Sequence, residues 1–325
     1  MHTMPIAKKP LKTLFEAMFH GKRSFEDFMR KVSEDDLGRA HIRQGAKRRE
    51  FINPSERLRA YHNFLRLFLV DFLPVHEDAV FSYRKGVSAH NAVEKHAQSR
   101  HFFVTDIESF FPSLTRDIMR NTITDAMSEI PIADLQEHLE HVLDTLCVDN
   151  ALPIGFSTSP GLSNAALYSF DVVFHERCRQ LGAIYTRYAD DIVLSSSTRA
   201  TVELGEEALN DLLAQMFDGE LRLHRGKSKY LHVGGKIKLL GMVLLPNGTI
   251  SVDTSVKDEI ETMLHLFIRD RERFNTLLEA GPAKIEARLA GLLNYVNTVD
   301  QSYLEKLRRK YGVAIVEMFL HRSFG

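Results

Sequence analysis

The sequence predicts an α+β protein in which a small sheet domain sits between helical segments. Apolar residues recur at helical spacing near both ends of the chain, while short β-rich runs bounded by turn residues are confined to its middle. Repeats, low-complexity tracts and long Gly/Ser linkers are absent from the 325 residues, a length that allows two or three packed regions with a real core.

In chain order, residues 11–37 read as short helices, with Leu14, Phe15, Met18 and Phe19 on one face, and an N-terminal helical segment is expected over 1–45. Residues 55–73 read as a helix capped by Ser55 and lined by Leu58, Tyr61, Leu65, Phe68, Leu69 and Phe72. A strand is predicted from His101 to Asp106, a turn at Phe111-Pro112-Ser113, and helices over 115–128 and 132–146. Pro153, Gly155, Pro160 and Gly161 mark a loop before a helix over 162–181. Ile184–Tyr188 and Ile192–Ser196 are β-rich runs flanking Ala189-Asp190-Asp191, the pattern of a hairpin. A helix over 201–217 follows, then strands at 237–245 and 249–252 around Pro246-Asn247-Gly248. From residue 254 the pattern is helical: Val256, Ile260, Met263, Leu264 and Phe267 share a face, Gly281-Pro282 breaks the chain, and Ile285, Leu289, Leu292, Leu293 and Val296 line the next helix. Leu304, Leu307 and Tyr311 line a last one.

No apolar run reaches the length of a membrane span; Phe64–Leu73 is broken by Arg66 and Asp71. Lys8, Lys9 and Lys12 are not followed by an apolar block and cleavage site, so a secretory signal is not expected. Cys147 and Cys178 have neither Cys-x-x-Cys nor zinc spacing, which points to plain thiols and a cytoplasmic location. The net charge is −1, but its distribution is uneven. Arg39, Arg43, Lys47, Arg48, Arg49, Arg57, Arg59 and Arg66 face only Glu50 and Glu56 between Gly38 and Arg66. Lys306, Arg308, Arg309, Lys310 and Arg322 crowd the C-terminal stretch, and the acids collect between Asp125 and Asp144. Such a chain presents basic surface to phosphate while staying neutral overall, although charge runs are also ordinary solvated helix faces.

The chemistry-bearing residues are carboxylates. Phosphoryl transfer needs charge stabilised on the attacking and leaving oxygens, which two Mg²⁺ ions about 4 Å apart achieve when carboxylates on rigid backbone hold them. A strand ending in Asp106 beside a hairpin tip carrying Asp190 and Asp191 supplies such ligands. Alone, an Asp-Asp turn is commonplace, because Asp favours turns; the set of motifs carries the weight.

Tyr188-Ala189-Asp190-Asp191, followed by Ile192-Val193-Leu194, resembles the polymerase box of reverse transcriptases. The run from Phe103 to Leu114, with Asp106 closing an apolar strand and Phe110-Phe111 following, is similar to that family's first aspartate motif. Leu152-Pro153-Ile154-Gly155-Phe156-Ser157-Thr158-Ser159-Pro160, then Leu162-Ser163-Asn164, resembles its loop and helix beneath the nucleotide. Lys47, Arg48, Arg49 and Pro54-Ser55 look like its triphosphate-binding fingers motif, Phe81–Ser88 like its template-contacting segment, and Lys227-Ser228 like the motif whose lysine protonates pyrophosphate. Leu239–Val243 looks like its primer-grip hairpin and 254–312 like its helical thumb. The similarity to the short bacterial reverse transcriptases of retrons and other anti-phage systems runs over nearly the whole chain, and leaves no stretch for an RNase H, endonuclease or integrase domain.

The resemblance implies a right-hand polymerase fold: fingers over 46–100 with help from 115–165, a palm over 101–253 and a thumb over 254–325. It implies two Mg²⁺ ions at Asp106, Ile107, Asp190 and Asp191, with Lys227 as proton donor. It places the dNTP against Lys47, Arg49, Ile107, Phe111 and Gly155, with Phe111 as the steric gate that excludes a ribose 2′-OH. It places nucleic acid against Arg84, Lys85, Gly86, Lys306 and Arg309. A non-coding RNA template, a DNA product and dNTPs are the implied partners, no membrane is, and a defence effector protein and self-association stay open. Three departures loosen the likeness to retron enzymes: Asn91–His96 is one residue longer than their Asn-Ala-x-x-His segment, Leu239-Leu240-Gly241 replaces Val-Thr-Gly, and Ile154 and Phe156-Ser157 replace a Gln and an Ala-Pro. The expected activity is therefore RNA-directed DNA synthesis on an associated RNA. RNA-linked multicopy single-stranded DNA synthesis, template-independent or unusual-template DNA synthesis, RNA synthesis, and a binding module without catalysis are the alternatives.

Overall fold

The computed structural model describes residues 7–44, 47–277 and 282–321. The chain opens with helices α1 (Leu11–Phe19) and α2 (Phe25–Phe28), then pairs β1 (Leu37–Gln44) with β2 (Lys47–Pro54) as an antiparallel ribbon. Helix α3 (Glu56–Phe68) follows, its first turn capped by the Ser55 hydroxyl, which accepts from the Leu58 amide. Leu11, Phe15, Phe28, Tyr61 and Phe64 form the apolar centre of this end; the Phe15 and Phe28 rings stack at 5.2 Å.

Within the segment expected to be helical over 1–45, the helices of the described residues end at Asp36. From Leu37 the chain is strand. Gly38, Arg39, Ala40 and His41 are all exposed, and among the ribbon's described side chains only Ile52 and Pro54 are buried, so the ribbon shows little apolar alternation. The pairing is therefore invisible to a search for that alternation.

After α4 (Ala89–Lys95), strand β3 (His101–Asp106) enters the central sheet. Helices α5 (Phe110–Ser113), α6 (Arg116–Asp125), α7 (Leu135–Leu146), α8 (Ser159–Ala166) and α9 (Tyr168–Leu181) come next, then strands β4 (Ile184–Tyr188) and β5 (Asp191–Ser196), helix α10 (Arg199–Met216) and strand β6 (Lys229–His232). The sheet order is β4-β5-β3-β6, all antiparallel. Both its faces are buried. Phe103, Ile192 and Leu194 pack with Phe170, Phe174, Val202 and Leu209 on one side, and Phe102 and Val193 pack with Val93 on the other. Successive side chains leave a strand on opposite faces, so Phe102 and Phe103 anchor different cores, each worth about 1.5–3 kcal/mol of burial.

Strands β7 (Ile237–Leu239), β8 (Met242–Leu244) and β9 (Ile250–Val252) form a second sheet. The single strand expected over 237–245 is two, folded back at Leu240 and Gly241, whose φ angles are 48° and 85°. The helix expected over 162–181 starts earlier, at Ser159 with Pro160 in its first turn, and is interrupted at Leu167. The turn at 111–113 is part of α5, and β6 has no counterpart among the predicted strands. Helices α11 (Thr254–Arg269), α12 (Arg271–Thr276), α13 (Pro282–Val299), α14 (Gln301–Tyr311) and α15 (Val313–Leu320) close the chain around Ile260, Leu264, Leu289, Leu293, Leu304 and Phe319. Among the described residues no helix is long and apolar enough to cross a membrane. Cys147 and Cys178 are buried, and burial pushes their thiols up to about 11 and about 12, leaving them inert near neutrality.

Candidate active site

The antiparallel register places Asp106, the last residue of β3, directly opposite Asp191, the first of β5. Asp190 occupies the turn between β4 and β5, and its carbonyl accepts from the Ile107 amide at 3.0 Å. Ala189, just before it, has φ 56°, a left-handed conformation that an L-residue adopts only when its surroundings enforce it. Three carboxylates thus share one end of a rigid sheet.

A cleft of about 750 Å³ opens there. Asp106, Ile107, Phe110, Phe111, Asp190, His224 and Lys227 line it from the sheet side, with Tyr83 from the segment bonded to β4; Arg49, Glu50 and Ile52 line it from the ribbon, and Asp149 and Leu152–Ile154 from the loop after α7. Asp191 lies outside this lining and is exposed. Asp106 is buried. Its Oδ2 accepts from the Lys227 ammonium, and its Oδ1 is buried with no hydrogen-bond partner. Lys227 is set by a tight turn: the His224 amide donates to the Asp106 carbonyl at 2.8 Å, and the Lys227 amide donates to the His224 carbonyl at 2.9 Å. The Thr105 and Ser228 hydroxyls bond across the same junction at 2.8 Å.

Loss of water raises the Asp190 carboxyl above its usual range, with repulsion from Asp106 adding to it. Asp191 is pushed up to about 6, again by lost hydration first and by Asp190 and Asp106 second; its exposed edge does not restore the water that the surrounding protein displaces. Adjacent carboxylates with too little positive charge nearby, and an orphaned buried oxygen on Asp106, are the features of a site built for a cation. Hard carboxylate oxygens suit a divalent ion of the Mg²⁺ kind. Among the described residues no three acidic, His or Cys side chains close into a cage as they stand, and Lys227 supplies the nearest positive charge.

The other sequence-predicted residues separate into groups. Arg49 projects from β2 into the cleft, and Phe111 lines it half-buried beside the buried Phe110, with ring centroids 5.4 Å apart. Both phenylalanines sit on α5, so the helix, not a strand's alternation, lets both reach the cleft. Lys47 is on β2 opposite Gln44, and its side chain lies outside the described residues. Gly155 is not on the cleft lining. It has φ +114°, and a Cβ there would meet the Ile52 carbonyl oxygen at 2.1 Å, so its place is beneath β2, where the Ile52 amide donates to the Ile154 carbonyl at 2.8 Å. The Arg84 guanidinium donates to the carbonyls of Glu77 and Val80 at 2.7 and 2.6 Å and so braces its own loop. Lys85 is exposed, and Gly86 has φ +77° with open space around it. Lys306 and Arg309 are exposed on α14. Sequence reasoning did not single out Tyr83, His224 or Asp149 as site residues. Tyr83 lies inside a motif already quoted and His224 beside Lys227, but Asp149 reaches the cleft only through a left-handed turn, with φ 50°.

A buried antiparallel sheet with carboxylates at one end, a basic ribbon across a cleft from them and a helical bundle beyond define a right-hand nucleic-acid polymerase. Residues 42–244 match the family described as reverse transcriptase (RNA-dependent DNA polymerase). The chain is 27% identical to the retron Ec73 reverse transcriptase of Escherichia coli over 81% of its own length and 83% of that protein's. It is 22% identical to the retron Ec83 reverse transcriptase of the same organism, over 84% and 85%. Among solved structures, a telomerase from Candida albicans, in complex with a fragment of telomeric RNA, aligns with a TM-score of 0.50 at 11% identity, which speaks to the fold alone; the alignment covers 95% of this chain and 64% of that one. The chain belongs to the reverse transcriptase family and is an RNA-directed DNA polymerase, with RNA as template and DNA as product. Its family works with divalent metal ions.

Proposed function

We propose that this enzyme copies a non-coding RNA with which it is associated, in bacterial anti-phage defence, and that Asp106, Asp190 and Asp191, with Ile107 beside them, are the site of two Mg²⁺ ions. The buried, unpartnered Oδ1 of Asp106 beneath two carboxylates of raised pKa carries the metal reading. When bound, the ions neutralise the developing charge on the attacking and leaving oxygens.

The protein's own groups do the rest. A primer 3′-OH, or a hydroxyl of RNA or protein, attacks the α-phosphate of a dNTP, a new phosphodiester forms, and the bond to pyrophosphate breaks. Arg49, with Lys47 on the same strand, holds the triphosphate, and Phe111 sits beneath the sugar and excludes a 2′-OH. Lys227 gives its proton to the departing pyrophosphate, a role that its contact with Asp106 supports. Fingers over 46–100 with 115–165, a palm over 101–253 and a thumb over 254–325 divide the work, with Lys85, Gly86, Lys306 and Arg309 along the nucleic acid. Arg84 shapes the loop that carries Lys85 and Gly86.

The names of the relatives support a second reading, in which the product is RNA-linked multicopy single-stranded DNA. One experiment tests both. The protein is purified from its host, the co-purifying RNA and DNA are sequenced, and the work is repeated with Asp190→Asn/Asp191→Asn. A defined RNA with complementary DNA, lost in the variant, is expected; a branched junction between the two supports the second reading. DNA unrelated to any bound RNA points to template-independent synthesis, and DNA equal in wild type and variant removes the aspartates from catalysis.

A further inference from the structure

Behind the catalytic turn lies a buried polar cluster that the chemistry above does not use. Arg187, on β4, is fully buried. Its Nε and Nη2 donate to Oδ1 and Oδ2 of the equally buried Asp171 on α9, at 2.9 and 2.5 Å, and the Tyr185 hydroxyl donates to the same Oδ1 at 2.6 Å. The remaining nitrogen, Nη1, turns the other way. It donates to the Ala189 carbonyl at 3.1 Å and to Asn164 Oδ1 at 3.3 Å.

Asn164, on α8, donates to the Ser82 carbonyl at 2.9 Å and accepts from the Ser82 hydroxyl at 3.3 Å. That hydroxyl accepts from the Ala189 amide at 2.8 Å. The segment bearing Ser82 is itself pinned to β4: the Arg187 amide donates to the Ala79 carbonyl at 2.8 Å, and the Phe81 amide donates to the Arg187 carbonyl at 3.0 Å. Both backbone polar groups of Ala189 are thus held, its N–H by Ser82 and its C=O by Arg187, at the residue whose left-handed φ of 56° precedes Asp190 and Asp191.

Simple support of the fold asks for less. Replacing a buried ion pair by packed apolar groups is often harmless to stability, and a turn without special demands has no need of an alanine in a left-handed conformation. We propose that Ser82, Asn164, Asp171 and Arg187 are positioning residues that fix the catalytic turn, and that they tie it to the segment carrying Tyr83, which lines the same cleft. This rests on Asp190 and Asp191 acting as proposed above.

Removing Arg187 or Asp171 strands a buried charge, so it perturbs folding together with positioning. Ser82→Ala is the sharper test, because it deletes only the hydroxyl on the Ala189 amide and leaves the ion pair whole. Ser195→Ala is the control. It removes an equally buried hydroxyl, bonded to His96 and Ser99, from the same sheet away from the turn. In Ser82→Ala, kcat should fall on the order of tenfold to a hundredfold with the KM for dNTP nearly unchanged, as misplacement of a catalytic group requires. The concentration of Mg²⁺ alone needed for half of the metal-induced rise in melting temperature should also increase. Ser195→Ala should lose melting temperature without either effect. The proposal is overturned if kcat in Ser82→Ala stays within about twofold of wild type, or falls no further than in Ser195→Ala. Asp190→Asn, measured alongside, separates the causes: if it retains full activity the site itself is wrong, and if it is inactive while Ser82→Ala is normal, the positioning role alone is wrong.

Discussion

His62 and His96 are held neutral inside the protein, and this sets an acid limit on its stability. Burial lowers His62 to about 4 and His96 to about 3. His62 reaches the Thr145 carbonyl at 2.9 Å, and His96 lies between the hydroxyls of Ser195 and Thr186 at 2.6 and 2.7 Å. In the unfolded chain both take up a proton near pH 6.5, so the unfolded state binds more protons between that value and the folded ones. Stability is therefore fully present above about pH 6.5 and falls as the pH drops toward 4 and then 3. Melting temperature against pH checks this: His62→Phe should flatten the slope between pH 6.5 and 4 by removing one titrating group. At the same scale, Asp106, Asp190 and Asp191 were legible because their spacing within known motifs is short and local. The Asp171–Arg187 pair was not. In the sequence Arg187 belongs to a β-rich run and Asp171 to a helix, and only the packing of α9 against β4 brings them together.

The β1–β2 ribbon is the element whose placement decides whether Arg49 faces the carboxylates. It is held at three points. Arg39 on β1 is ion-paired with Glu34, Glu50 and Asp149, the last at 2.8 Å; β2 is bonded to the 152–155 loop; and Gly155 lets that loop pass beneath Ile52. The Arg39 pairs are partly exposed and each contributes little. Gly155 leaves no room at all. Gly155→Ala should destabilise the protein by about 1–3 kcal/mol, since it adds both a strained φ and a backbone clash. It should also raise the KM for dNTP by moving Arg49; a thermal melt and steady-state kinetics on one preparation measure both. A motif search finds this glycine and assigns it to the nucleotide, but the structure gives the contact that explains it. Strands β3, β4 and β5 were legible because their apolar runs end in turns or carboxylates. The ribbon carries no such pattern, and the bend at Leu240-Gly241 hides inside an apolar run.

At the scale of the molecule, net charge says little and its placement says more. Lys306 and Arg309 stand exposed on α14, far along the chain from the carboxylates yet in the same folded body. If they contact phosphate, Lys306→Ala and Arg309→Ala should weaken binding to RNA–DNA duplexes of any sequence alike. Each should also reduce the slope of log affinity against log salt by about one. A binding titration at four or five salt concentrations decides it, and an unchanged slope removes them from the interface. The helical, mixed and helical order of the chain was readable from periodicity, but the division of labour between the two cores was not, because it depends on which face of β3 each phenylalanine takes.

That division bears on where the protein can be cut. Phe102 and Val193 leave the central sheet on the side of the C-terminal helices and are buried in the same cluster as Ile260, Leu289 and Phe319. Val93 on α4 and strands β7, β8 and β9 belong to that cluster too, so a chain stopped after Asp253 would divide one apolar core and leave each piece without part of its partners. Neither piece is then a module in the sense a protein engineer needs: α13 packs on β9, and exchange of the C-terminal helices with a relative has to carry the β7–β9 sheet along with them.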